Sequence, residues 1–285
     1  MTPLTQCVPN FSEGRRPEVI TAIVDAVRET SGVRLADWSA DPDHNRLVVT
    51  FVGPPAAVRE AALSAATVAV ARIDLRAHQG VHPRLGALDV LPFVPLSGLT
   101  LADCGKLARD VGLELATRLS LPVFLYEAAS PATRSLPFVR KQAFATLTPD
   151  LGPVRPHPTA GAAVVGARGP LVAYNVNLDT PDISLARAIA QELRDSAALP
   201  GVRALGLRLA SRGLTQVSMN LTRPAETPLL AVFRYVETRA REMGASVAES
   251  EIIGALPGYA AYGVLADALQ AAGLKPGQVL LENWP

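Results

Sequence analysis

An order of hydrophobic periods restricts this chain more than any other feature. From Leu4 to Val94 the segments alternate as β-α-β-β-α-β. Leu4 to Phe11 reads as a short strand, and the small and polar residues Asn10 to Gly14 turn it toward a helix beginning near Pro17. Proline suits that first helical position because its missing N–H costs little there. Val19, Ile20, Ile23, Val24 and Val27 mark one helical face. Strand-like runs at Val33 to Trp38 and Leu47 to Val52 flank a polar connection, Ala40 to Arg46. A helix opens at Pro54-Pro55 with Val58, Ala61, Ala62, Ala65 and Ala69 inside, and a buried strand runs from Ala87 to Val94. This order predicts the split βαβ arrangement of ferredoxin-like sheets.

The second half repeats the order without repeating the sequence. Thr100 and Asp103 form a capping-box-like pair ahead of a helix to about Leu119, and Leu121 to Tyr126 is strand-like. The pattern then breaks from Ala128 to Gly161, apart from a short helix expected after Ser135. Strands at Ala162 to Ala167 and Leu171 to Leu178 meet at Arg168-Gly169-Pro170, where a boundary between subdomains 1–170 and 171–285 is expected. A helix opening at Thr180-Pro181 follows, then strands at Val202 to Leu209 and Thr215 to Leu221. A helix from Pro228 to Met243, a strand near Ser246 to Ile253 and a helix from Tyr259 to Ala272 complete the set. The expected class is α/β (α+β), two ferredoxin-like split βαβ subdomains with facing sheets and a ligand cleft between them.

Composition narrows the function classes. With 27 basic and 26 acidic residues there is no global field and no basic block, so neither nucleic acid nor a membrane surface is the expected partner. Two cysteines, Cys7 and Cys104, are too few for a disulfide framework. The first residues lack a signal-peptide pattern, and no apolar run reaches the roughly 18 residues of a membrane span, so a cytoplasmic setting is expected.

Chemistry concentrates in HQGVHPRLGALDVLPF, His78 to Phe93, which holds two of the four histidines in a loop between a helix and a strand. Gly80 gives that loop backbone freedom, and Pro83 biases His82 toward an extended conformation. Imidazoles spaced as His78 and His82 can hold zinc when a helix aligns them, but Gly80 and Pro83 oppose the helix and no third ligand is near, so no metal is expected. Both rings can also serve only to bond the loop backbone.

Three segments carry a family resemblance: CVPNFSEGRRPEVI from Cys7, DPDHNRLVVTFVG from Asp41 and the His82 stretch. With GAAVVGARGPLVAYNVNL from Gly161 and QVSMNL from Gln216, they closely resemble the glutamate formimidoyltransferases (formiminotransferases), in order over nearly the whole chain. The resemblance implies a folate-binding cleft and transfer of a formimidoyl group between N-formimidoyl-L-glutamate and N5 of tetrahydrofolate, a step of histidine degradation to glutamate. It implies the stand-alone form, without a cyclodeaminase domain. The expected partners are folate and glutamate derivatives, and a homodimer is left open.

By its motif the family's catalytic histidine falls on His82, as general acid/base, and imidazole suits proton traffic near neutral pH. His78 is expected to orient it or to hold the loop. Both substrates carry carboxylates, which forked guanidinium donors bind well, so Arg46 and Arg84 are candidates, with ion pairing inside the protein as their alternative role. Asn10 and Ser12 could orient substrate, although Ser12 could equally cap the next helix. Asp37 could favour a cationic amidine or bond strand-end backbone. Cys7 is expected to be a buried packing residue.

The resemblance also places folate against Gly152, Pro153, Val154, Arg155, Pro156, His157, Pro158, Thr159, Ala160 and Gly161. Animal members carry aromatic residues in this segment, where this chain has His157, Thr159 and Ala160. The animal Asp-x-Asp is here Asp37-Trp38-Ser39, with Asp41 or His44 as stand-ins. Whether residues 128–161 close over substrate is left open. Three rival functions stand beside the first: a 5-formyltetrahydrofolate–glutamate formyltransferase, a folate-binding protein without catalysis or dimer-forming scaffold, and a metal-dependent hydrolase.

Overall fold

The structure is a computed structural model that describes residues 2–271. It divides into two compact units, Met1–Gly169 and Pro170–Pro285, each described by itself.

The first unit begins with β1 (Leu4–Cys7) and β2 (Asn10–Phe11), where a single strand is expected from sequence. Pro9 interrupts the run because it has no N–H to donate. Next come α1 (Pro17–Arg28), β3 (Arg34–Asp41) and β4 (Arg46–Gly53), so β3 runs three residues past its expected end. Asp41 is thereby paired in the sheet with Arg46. Then follow α2 (Pro55–Arg72), a 3-10 turn at Leu75–Ala77, β5 (Leu88–Ser97), α3 (Leu101–Leu119), β6 (Val123–Glu127), α4 (Leu136–Gln142) and β7 (Ala163–Ala167).

β1 and β2 lie antiparallel between β4 and β5, with β3 outside β4, which is the split βαβ sheet. It is also extended: β7 adds parallel to β5, and β6 adds parallel to β7. The sheet is therefore larger than the periodicity up to Val94 implied.

α1, α2 and α3 cover one face of this sheet. Val19, Ile20, Ile23, Val24 and Val27 of α1 are all buried, as their spacing requires. Each such side chain, taken wholly out of water, contributes on the order of 2 kcal/mol. α2 buries Ala61, Ala62, Ala65, Ala66 and Ala69, which makes it thin enough to lie close to its neighbours. The Thr100–Asp103 capping box at the start of α3 is present in full. Cys7 is fully buried in this core, and burial pushes its thiol pKa up, so its role there is packing.

The second unit contains β8 (Val172–Leu178), α5 (Ile183–Asp195), β9 (Val202–Leu209), β10 (Leu214–Leu221), α6 (Leu229–Glu242), β11 (Val247–Ile253) and α7 (Gly258–Ala268). Its strands run in the order β11-β8-β10-β9, all antiparallel, giving a second split βαβ sheet. α5 starts later than Thr180-Pro181, because Asp182 is the residue whose side chain accepts from Ser184 N at 2.9 Å. The expected end of α7 at Ala272 lies outside the described residues. Among the described residues no helix is long and apolar enough to cross a membrane.

Candidate active site

The site grows from one end of the first sheet. Asn10 of β2 stands opposite Val48 of β4 and Val90 of β5. Arg46 lies two residues before Val48, so strand alternation puts it on the same face as Asn10. The turn before Arg46 contains Asn45 in the left-handed region, at φ 47°. Asparagine tolerates that conformation, and its side chain is used on both ends. Asn45 Oδ1 accepts from Gly14 N at 2.8 Å, and its Nδ2 donates to Gln79 O at 2.9 Å. One side chain thus fastens the β2–α1 turn to the histidine loop.

Gly80 has a different purpose from the one its sequence context suggested. A Cβ there would lie 2.3 Å from His44 O and 2.8 Å from an Arg84 nitrogen. Close approach of two backbones, more than dihedral freedom, excludes a larger residue. Arg84 holds the loop from beneath, donating to His82 O at 2.7 Å and His44 O at 3.3 Å, and to His78 Nδ1. Arg84 is therefore an internal brace of the loop.

These bonds fix the two imidazoles in opposite tautomers. His78 accepts at Nδ1 from Arg84, so its proton is on Nε2, which donates to Asn45 O at 3.0 Å. His82 Nε2 accepts from Arg46 Nη1 at 3.1 Å, which leaves its proton on Nδ1. Arg46 also donates through Nη2 to Asn10 Oδ1, and Asn10 Nδ2 donates to Val8 O at 2.8 Å. The His44 and His82 ring centroids lie 5.7 Å apart.

Electrostatics keep His82 neutral. Burial pushes its pKa well below the ordinary imidazole value, with Arg46, Arg140 and His44 adding to the effect. His78 is lowered too, by partial burial and then by Arg84. Arg46 is brought down to about 10, first by burial and then by Arg140, while Asp89 and Asp41 act in the opposite sense. The Arg46 Nε is buried without a hydrogen-bond partner. A buried donor without a partner is costly, so this nitrogen marks an unsatisfied point in the site.

Two participants were not visible in the sequence patterns. Asp89 is 3% exposed; it accepts from Leu85 N at 2.5 Å and from Arg140 of α4. Its signal was an acid inside a buried apolar run, which needs a partner. Arg140 had none, since it lies where the periodicity lapses.

The other candidates are placed unevenly. Ser12 does not cap α1: its Oγ donates to Gly86 O at 2.7 Å, tying β2 to the end of the loop. The Glu13 carboxylate instead accepts from the N–H groups of Arg15 and Arg16 ahead of that helix. Asp37 is exposed on β3 opposite Thr50, with no bond to strand-end backbone. Asp41 acts on Arg46 after Asp89, and its Oδ1 accepts from His44 N at 2.7 Å.

The glycine- and proline-rich segment divides in two. Gly152, Pro153, Val154, Arg155 and Pro156 are exposed. From His157 to Gly161 the chain forms a closed turn, in which His157 Nδ1 accepts from Ala160 N at 3.0 Å and Thr159 N at 3.3 Å. Thr159 O then accepts from Leu75 N, and Ala160 O from Ala87 N, so this turn grips both ends of the histidine loop. Ala160 is wholly buried and Pro158 is exposed. Among the described residues no cluster of His, Cys, Asp or Glu could hold a metal ion.

Fold and site together define an α/β protein of two split βαβ units, with a neutral histidine and a buried guanidinium on the first sheet. Residues 4–168 match the family profile described as formiminotransferase domain, N-terminal subdomain, and residues 173–266 match that of the formiminotransferase domain. The chain is 39% identical to a glutamate formimidoyltransferase of Streptococcus pyogenes over 99% of both chains. It is 38% identical to one from Thermoplasma acidophilum, over 97% of this chain and 96% of that protein. Against the formimidoyltransferase-cyclodeaminase of Rattus norvegicus it is 41% identical over 90% of its own length and 51% of the relative's. The chain belongs to the formiminotransferase family.

Proposed function

We propose that this protein is a glutamate formimidoyltransferase, moving the formimidoyl group between N-formimidoyl-L-glutamate and N5 of tetrahydrofolate, with His82 carrying the proton. The observation that supports it best is the Arg46–His82 pair: a neutral imidazole whose Nε2 accepts from a guanidinium with a buried Nε that has no hydrogen-bond partner. In the forward direction N5 attacks the amidine carbon. As Arg46 turns to the glutamate carboxylate it releases His82 Nε2, whose freed lone pair takes the N5 proton as the tetrahedral adduct forms. The same proton then passes to the glutamate nitrogen, whose bond to carbon breaks. The formimidoyl group has moved one way and one hydrogen the other, so no metal or redox partner enters the balance.

In this reading Arg46 binds a glutamate carboxylate, and Asn10 steers Arg46. His78, Arg84 and Ser12 hold the loop. The turn from His157 to Gly161 supports folate through its backbone, within a subdomain ending near residue 170. The reaction belongs to histidine degradation.

The test is transfer from N-formimidoyl-L-glutamate to tetrahydrofolate near neutral pH with chelator present, wild type beside His82→Ala, and 5-formyltetrahydrofolate with glutamate as a second reaction. Turnover by wild type that survives the chelator, with a loss of at least about a hundredfold in the variant, is expected for acid/base transfer. Turnover only with the formyl donor, or equal rates in the two proteins, rejects the reading.

A further inference from the structure

Asp89 does not sit in its sheet as its neighbours do. Asn10 of β2 stands opposite Val90 and Phe11 opposite Leu88, so the register shifts and Asp89 is the extra residue between them. An extra residue of this kind is a β-bulge, which bends the strand and re-aims a side chain. Here it delivers one carboxylate to two places. Oδ1 accepts from Leu85 N at 2.5 Å, three residues past His82, and Oδ2 accepts from Arg140 Nη2.

The far partner is held as firmly. α4 has only seven residues, and it opens on Ser135, whose hydroxyl accepts from Phe138 N. Val139, next to Arg140, is wholly buried in a cluster with Val90, Phe124 and Val164. Ahead of α4, Arg134 Nη2 donates to both oxygens of Asp150, at 2.5 and 2.6 Å. Asp150 in turn accepts from Leu125 N of β6 at 2.7 Å. Arg140 is thus carried on a segment fastened to the sheet. Stability alone does not call for it. A largely buried ion pair gains little over an apolar pair of similar volume, and the Arg140 Nε is buried with no hydrogen-bond partner.

We propose that Asp89 and Arg140 are positioning residues of the transfer: the bulged carboxylate sets the histidine loop and holds a stationary guanidinium within electrostatic reach of His82. The proposal rests on His82 as the proton carrier. Burial is the first cause that keeps this imidazole neutral, and the groups that add to it are Arg46 of β4, Arg140 of α4 and His44 of the β3–β4 turn. Arg84 meets His82 at its backbone carbonyl. Of these cations Arg46 turns to the substrate carboxylate during the reaction, whereas Arg140 stays tied to Asp89. Once His82 has taken the N5 proton, the cation that remains makes the imidazolium a better donor to the glutamate nitrogen.

NMR titration of the His82 imidazole in the full chain tests it, beside kcat, KM and pH profiles of formimidoyl transfer, in wild type, Arg140→Met, Arg140→Lys and Asp89→Asn. Arg140→Met removes the cation, so the His82 pKa and the acid limb of kcat/KM should rise. Its kcat should fall about tenfold or more, with KM within about twofold of wild type. Arg140→Lys keeps a charge and should restore most of the pKa. Asp89→Asn can still accept from Leu85 N but leaves Arg140 uncompensated, so the pKa should fall. A merely loosened loop would move the methionine and asparagine variants the same way. Shifts of one sign, a shift under about 0.3 unit in either of those two variants, or a loss confined to KM overturns the proposal. Should Arg140→Met lose its circular dichroism, Asp89→Asn decides by the same threshold and sign. The titration needs no turnover. Opposite shifts in a protein without transfer sink the proposed reaction alone, and transfer with unshifted variants sinks this inference alone.

Discussion

Replacing Arg46 with methionine removes a charge from His82 while keeping most of the volume, which makes the imidazole a direct reporter of the site. The guanidinium donates to His82 Nε2 at 3.1 Å, so the charge centre lies roughly 4 Å from the ring nitrogen that would be protonated. At an effective dielectric of about 20, two unit charges at that distance repel by about 4 kcal/mol, close to three pH units. That is a ceiling, because water entering the space left by the guanidinium weakens the benefit and Arg140 remains. Burial is the largest cause of the depression and also persists. The His82 pKa should therefore rise in Arg46→Met, by less than that ceiling, and remain depressed by burial. With only four histidines in the chain, NMR titration of labelled imidazoles can follow His82, assigned by its absence in His82→Ala. The acid limb of kcat/KM should move upward in step. A change under about 0.3 unit, or a fall, would refute the charge argument and leave burial as the whole cause.

The remaining expectations concern the loop and acid. Gly80→Ala should lower kcat/KM by about a hundredfold with a folded protein, since the new methyl must push the loop off His44 O; unchanged kinetics would show that the loop gives way freely. His78 and His82 are held below their unfolded pKa values, so the unfolded chain binds more protons in acid. Stability should be full above about pH 6.5 and decline as pH falls toward the folded values, read by urea melts at several pH values. His82→Asn should flatten part of that decline, and an unaltered slope would mean that other groups set it.

Much of this architecture could be read from apolar spacing because each element hides one face. The buried positions of α1 are the five residues its periodicity marked, and Thr100 with Asp103 announced α3. Where spacing had nothing to say, the sequence was silent. Arg140 sits on a seven-residue helix inside an aperiodic stretch, and only a fold can bring it to Asp89, 51 residues away. The site was legible at His82 because a motif is local. Its surroundings were not, since Ser12 looked like a cap until its hydroxyl was found on Gly86, 74 residues on.

The position of β7 has a consequence for how this chain comes off the ribosome. It is the last strand of the first unit to be synthesised, yet it occupies the slot between β5 and β6. Until residues 163–167 emerge, β5 has an open edge on that side and β6 lacks its β7 partner. Open edges of this kind recruit other chains. A nascent first unit is therefore exposed to misassembly from the completion of β5 at Ser97 until residues 163–167 emerge, and it becomes safe only when one five-residue strand is in place.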